Sequence, residues 1–156
     1  MRASGVGGMP GDDVREALQI ILGEVGDLPF VPELPARGAG AEMIGRSLAM
    51  LDGLSVDLQP AGWRLTTGES RDHRRARSLL AQDLDAVEEL LPATVPVVKQ
   101  QVTGPWTLAA TVERPRGDRV LADHGARREL AESLAEGIVH HISDLRKRAP
   151  HASFVI

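Results

Sequence analysis

The sequence predicts an α/β protein in which helices alternate with short parallel strands. A Val-rich run over 95–102 follows a long helical pattern and ends at Gly104-Pro105, as expected of a buried parallel strand that leads into a helix. Two shorter apolar segments, 28–32 and 152–156, also follow helical patterns. Because only 3% of the residues are aromatic, the core must be mainly aliphatic.

Composition excludes several classes of protein. The chain has 156 residues, of which 42% are hydrophobic and 26% charged, so we expect one globular domain over 1–156. A net charge of −4 without a basic, aromatic patch disfavours nucleic-acid binding. The absence of Cys excludes disulfides and thiolate metal sites made by this chain alone. No apolar run is long enough for a membrane helix and no signal-peptide pattern is present, which predicts a cytoplasmic protein.

The first predicted unit is a strand, a glycine loop and a helix. A short strand over 3–6 leads into the glycine-rich turn 5–11, and helical spacing follows over 14–25. The loop fits neither phosphate-binding pattern, because Pro10 replaces the third glycine of the dinucleotide motif and no Gly-Lys-Ser/Thr is present. Its backbone amides could still hold a carboxylate.

Glu33 follows the second predicted strand, 28–32. Its spacing alone favours a solvated loop acid that pairs with Arg37. Its place at the carboxyl end of a strand, where ligands of α/β proteins bind, keeps a binding role open.

The remaining pattern predicts four helices and an inserted hairpin. The hairpin joins 56–58 to 63–65, and we expect Trp63 to be a packing anchor rather than a ligand platform. The helices cover 41–51, 71–91, 105–112 and 125–148, and a surface turn covers 114–118.

A basic cluster begins the helix over 71–91. We expect a solvated face, with contact to a polyanionic substrate tail as the alternative. Its members are Arg71, His73, Arg74, Arg75 and Arg77.

No complete catalytic constellation is visible. The five His residues form no ligand set, since His140 and His141 point about 100° apart on a helix, so we expect no metal site within this chain. No nucleophile elbow or triad can be assigned. From its residues alone, the chain resembles a ligand-binding half-site.

Three segments, 5–11, 30–35 and 98–105, together resemble the cobalamin-independent methionine synthase family, specifically its C-terminal catalytic barrel and the short actinobacterial proteins similar to it. The resemblance implies a (β/α)8 TIM barrel that transfers a methyl group from 5-methyltetrahydrofolate polyglutamate to homocysteine, whose thiol is activated on zinc. Such barrels need about 250 residues. The chain would then be the N-terminal half, with about four core parallel strands, their helices and the inserted hairpin.

The resemblance also assigns roles to individual residues. Val6, Gly7 and Gly8 match the loop that holds the carboxylate of the amino acid. The family commonly has Ser at the position of Gly8, so the amides remain and a hydroxyl contact is lost. Glu33 matches the acid that binds the amino group of homocysteine. The zinc ligands and the family's Asp-Glu-Pro strand end are expected after Ile156, which leaves no catalytic residue within this chain.

The strand end around Thr103 completes the implied substrate site. Lys99, Thr103 and Gly104 match the family's Lys-x-x-x-Thr-Gly-Pro pattern. Strand alternation turns Lys99, Gln101 and Thr103 towards the barrel interior and the neighbouring valines towards the helices. Gln100, on the apolar side, is an exception to this pattern.

Two other functions remain open. One is an enzyme of the related uroporphyrinogen decarboxylase-like superfamily with another substrate. The other is a non-catalytic half-barrel that dimerises and binds a small amino acid or anion. Because half of a barrel exposes strand edges, we expect self-association or pairing with the missing half.

Overall fold

A computed structural model describes residues 3–156. Its helices are α1 (Val14–Glu24), α2 (Met43–Leu48), α3 (Arg71–Leu90), α4 (Pro105–Thr111) and α5 (His124–Arg148). Its strands are β1 (Ser55–Gln59), β2 (Gly62–Thr66), β3 (Val97–Lys99), β4 (Glu113–Arg114), β5 (Gly117–Arg119) and β6 (Ser153–Val155). Within the described residues, no helix combines the length and the apolar character needed to cross a membrane.

Four parallel segments pair in the order in which they occur along the chain. Gly8 bridges Glu33, Phe30 bridges Lys99, and β3 pairs with β6, all in parallel. Helices connect the successive segments and pack against them. The predicted α/β class with parallel strands is therefore confirmed.

The first strand is displaced from its predicted position, and the second reaches one residue beyond its predicted end. The first parallel pairing occurs at Gly8, not over 3–6, and the side chain of Val6 is 90% exposed. The second segment pairs from Phe30 through Glu33, so Glu33 belongs to the sheet rather than to a loop. Glycine disfavours strands, which is why composition could not locate a strand pairing inside the glycine-rich turn. The third strand, β3, is shorter than the predicted run over 95–102.

The predicted hairpin is confirmed and belongs to a second sheet. β1 and β2 pair antiparallel with Leu58 opposite Trp63, and β4 and β5 extend the sheet in the order β1-β2-β4-β5. The surface turn predicted over 114–118 is the connection between β4 and β5. Trp63 is buried in the core, as expected of a packing anchor.

The long helix α3 contributes to two apolar clusters. Ala76 and Leu80 pack with the hairpin, α4 and α5, while Leu84 and Val87 pack with α1 and the parallel strands. Side-chain oxygens of Asp13, Ser70 and Asp123 cap the starts of α1, α3 and α5, which satisfies amide groups that a helix cannot pair internally. These caps explain why the helix starts are close to those predicted.

The basic cluster is only partly a solvated face. The four arginines are exposed as expected, but His73 has no exposed surface and its Nε2 lies 3.1 Å from the carbonyl oxygen of Leu48. His73 precedes Ala76 by three residues and Leu80 by seven, so helical geometry places it on the apolar face of α3. Burial is the main reason that the pKa of His73 lies below its ordinary value.

Candidate functional site

The glycine loop and Glu33 are joined through their backbones. The amide of Glu33 donates to the carbonyl oxygen of Gly7 over 2.9 Å, and the amide of Met9 donates to the carbonyl oxygen of Glu33 over 2.9 Å. This pairing fixes the position of Glu33 relative to the loop. A carboxylate and the glycine loop therefore occupy adjacent strands.

Gly7 and Gly8 differ in what surrounds them. Gly7 has a φ of +132°, and a Cβ atom added there would lie 2.4 Å from Nε2 of Gln101, so this position requires glycine. A Cβ atom added at Gly8 would meet nothing within 4 Å. The loop is consequently closed on the Gln101 side and open at Gly8.

Glu33 is a buried residue that lacks the predicted ion pair. The residue as a whole is 8% exposed, and Arg37 pairs with Asp83 instead. Burial raises the pKa of Glu33, while the positive charges of Arg46 and Lys99 lower it in part. The interpretation as a solvated loop acid is thus wrong, and Glu33 is a buried acid near two cations.

Lys99 and Gln101 tie the third strand to the first two. Nζ of Lys99 donates to the carbonyl oxygen of Gly5 over 2.7 Å, and Nε2 of Gln101 donates to the carbonyl oxygen of Val31 over 2.7 Å. Val98 packs in the opposite direction, into the cluster with α1 and α3. The predicted alternation therefore holds at positions 98, 99 and 101. Gln100 is fully buried and its Nε2 donates to the carbonyl oxygen of Gln101.

Thr103 and Gly104 anchor the strand end to helices. The amide of Thr103 donates to Oγ of Ser47 over 2.8 Å, and its hydroxyl donates to the carbonyl oxygen of Met43 over 2.8 Å. Gly104 is exposed and precedes the first residue of α4. These contacts attach Thr103 to α2, a structural role that the sequence pattern does not indicate.

The sequence patterns do not predict a buried charge cluster that lies near Glu33. Asp83 accepts hydrogen bonds from both Arg37 and Arg46. Arg46 and Asp83 are each 1% exposed, and within residues 3–156 the Nε and Nη2 atoms of Arg46 have no hydrogen-bond partner. The available signal is the position of Asp83 on the apolar face of α3, three residues after Leu80 and four before Val87, where an acid requires a buried cation.

The predicted site residues therefore fall into two groups. Gly7, Gly8, Glu33 and Lys99 are linked across three neighbouring strands by backbone pairing and by the contact of Lys99 with the glycine loop. Val6 adjoins this group with an exposed side chain, and Thr103 and Gly104 face α2 and α4 instead. The first group can offer amide donors, a cation and a carboxylate to one small zwitterion.

Zinc has no donor set among the described residues. Within residues 3–156, no group of three or more His, Asp or Glu side chains is arranged to hold a metal ion. We therefore derive no chemical step through a metal from this chain.

Comparison with known proteins leaves the family open. No protein-family model matches the chain, and neither the curated proteins nor the solved structures include a significantly similar one.

Proposed function

We propose that this chain forms the amino-acid-binding part of a TIM-barrel methyltransferase similar to cobalamin-independent methionine synthase. Such an enzyme would transfer a methyl group from methyltetrahydrofolate to homocysteine, and zinc held by residues outside the described ones would supply the activation of the homocysteine thiol. The observation that carries the proposal is the direct pairing of Gly7 and Met9 with Glu33, which places the glycine loop on the strand beside a buried acidic residue. Lys99 supplies a cation at the same place.

The arrangement suits an α-amino acid. The amino group of the ligand would donate to the Glu33 carboxylate, and its carboxylate would accept from amides of the glycine loop with Lys99 nearby. Both interactions are charge-assisted hydrogen bonds, which are stronger than neutral ones. Bringing an ammonium group to Glu33 also compensates the burial that raises its pKa.

The order of the parallel strands supports a barrel. A (β/α)8 barrel places successive strands side by side, and the four segments here pair in chain order. Val155 and Ile156, at the edge formed by β6, are 47% and 54% exposed. We propose that further parallel strands, from a second half-barrel or a second copy, cover this edge, and that the zinc ligands belong to a segment outside the described residues.

Glu33→Gln tests the assignment of the amino group. We expect the dissociation constant of L-methionine or L-homocysteine, measured by calorimetry, to rise about 10- to 150-fold, because a charged hydrogen bond is worth roughly 1.5–3 kcal/mol. The affinity for 4-(methylthio)butanoate, which lacks the amino group, should not change. Glu24→Gln, at the exposed end of α1, is the matched control.

Unfolding experiments separate lost binding from lost structure. The folded-state pKa of Glu33 is raised, so the folded chain binds the proton more tightly, and the free energy of unfolding falls as pH rises through the window above the ordinary pKa. Glu33→Gln removes this cost, and we expect its melting temperature at pH 7 to equal or exceed that of the wild type. An unchanged dissociation constant in a folded Glu33→Gln protein would contradict the proposed function.

Gly8→Ser tests the carboxylate side of the site. The open space at Gly8 accepts a side chain, so a serine hydroxyl there can donate to the ligand carboxylate. We expect about 3- to 10-fold tighter binding of L-methionine, since one hydrogen bond contributes about 0.5–1.5 kcal/mol. Gly8→Ala adds the Cβ atom without the hydroxyl and should leave the affinity unchanged. Equal affinities of Gly8→Ser and Gly8→Ala for L-methionine would show that position 8 does not contact the ligand.

A further inference from the structure

A groove between α4 and the start of α5 has the chemistry of a second binding site. We propose that it binds a small planar aromatic anion, such as an aromatic carboxylate of one or two rings. The groove has a volume of about 370 Å³ and is called the Trp106 groove below. It shares no lining residue with the loop that pairs with Glu33, so the proposal does not depend on the proposed function.

Trp106 provides an exposed flat surface in the groove. Its side chain is 69% exposed, although the chain has only two Trp and two Phe residues and buries both Trp63 and Phe30. A large aromatic ring left in water is costly to the free protein and available for stacking. Pro105 and Ala109 add apolar surface beside it.

Arg127 is held over this ring. Its guanidinium carbon lies 5.7 Å from the ring centroid, and its Nη1 donates to the carbonyl oxygen of Leu121 over 3.0 Å. The cation is therefore already oriented before a ligand arrives. An aromatic anion can place its ring against the exposed surface of Trp106 and its charged group against Arg127.

The lining carries basic side chains and no acid. His124, Arg127 and Arg128 line the groove, in a chain whose net charge is −4. Nε of Arg128 lies 3.6 Å from Oε1 of Glu132, and both side chains are more than 70% exposed. Such an exposed ion pair is weak, so a ligand can replace Glu132 as the partner of Arg128. Charge complementarity therefore selects an anion rather than a neutral or cationic aromatic molecule.

Calorimetric titration with 2-naphthoate tests the proposal, with neutral 2-naphthamide as the comparison ligand. We expect Trp106→Ala to weaken naphthoate binding about tenfold, in the range found when one stacking contact is removed. Arg127→Ala should also weaken it, and raising the salt concentration should reduce the affinity of naphthoate but not that of naphthamide. Arg146→Ala, an exposed position at the other end of α5, is the matched control and should bind as the wild type does.

Three results would overturn the proposal. The first is equal affinity of naphthoate for the wild type and Trp106→Ala, and the second is equal affinity of the wild type for naphthoate and naphthamide. The third is light scattering that shows an oligomer which Trp106→Ala dissociates, since the groove would then be an interface between copies. Trp106 and Arg146 are exposed and Arg127 is half-buried, and circular dichroism can confirm that each variant remains folded.

Discussion

Asp83→Asn is expected to lower the free energy of unfolding by about 3–5 kcal/mol, the cost of breaking a buried ion pair from one side. Asp83 is 1% exposed and accepts from Arg37 and Arg46 through different carboxylate oxygens. Asparagine offers one oxygen and turns an NH2 group towards the other guanidinium. Arg46 then remains buried with no anion bound to it.

Asp85→Asn is the matched control for this measurement. Asp85 lies on the same helix and pairs with Arg148, but its side chain is 58% exposed. Solvent screens such a pair, so we expect a change of at most about 1 kcal/mol. Equilibrium unfolding in urea, followed by circular dichroism, gives both values.

A double variant distinguishes the cost of an unpaired charge from the value of the pair itself. Asp83→Leu alone leaves Arg46 unpaired, whereas Asp83→Leu with Arg46→Leu removes both buried charges. Apolar replacement of a complete buried pair is often neutral or stabilising. We therefore expect the double variant to be more stable than Asp83→Leu. A double variant less stable than the single one, or equal costs of Asp83→Asn and Asp85→Asn, would contradict the role of the buried charges.

Periodicity predicted the hairpin and the helices α1, α3, α4 and α5 well because these elements are locally determined. The helix predicted over 41–51 is shorter in the structure, Met43–Leu48. The spacing of apolar residues on α3 and α5, and the caps at Ser70 and Asp123, are all encoded within a few residues. The parallel strands were harder to predict. The pairing of Gly8 with Glu33 joins two segments that are 25 residues apart, and the glycine loop has no strand-like composition.

The proximity of the candidate residues was predictable, but their electrostatics were not. Glu33 and Lys99 were both selected as residues at the carboxyl ends of strands, and the structure places them near each other. Whether Arg37 pairs with Glu33 depends on the packing of α3, because Asp83 on that helix forms the ion pair with Arg37 instead. Arg46 is separated from Asp83 by 37 residues, and only the packing of α2 against α3 brings them together.

His141 is expected to make the protein sensitive to mild acid. It is 7% exposed, and within residues 3–156 its Nε2 has no hydrogen-bond partner. Burial, together with the positive charge of Arg46, lowers the pKa of His141 to about 4, although Asp144 opposes this shift. His141 lines a surface groove together with Arg77, Asp52 and His140.

The sign of the pH dependence follows from the lowered pKa. The unfolded chain binds the proton near pH 6.5 and the folded chain only near 4, so the free energy of unfolding falls as pH decreases between these values. At 1.36 kcal/mol per pH unit, the loss is about 3 kcal/mol once pH is below both values. Between pH 7 and pH 4.5 we expect the free energy of unfolding to fall by about 2–3 kcal/mol, which is most of this loss.

His141→Leu should remove this loss of unfolding free energy at low pH, while His140→Leu should not. His140 is adjacent in sequence but its side chain is 62% exposed, which makes it the matched control for the buried His141. Glu33 acts in the opposite direction, because its raised pKa favours the folded chain as pH falls, and its effect cancels when each variant is compared with the wild type. If urea unfolding at pH 7 and pH 4.5 gives the same difference for the wild type and His141→Leu, then protonated His141 must reach water. In that case the packing of α5 near Arg46 would have to open before the rest of the fold unfolds.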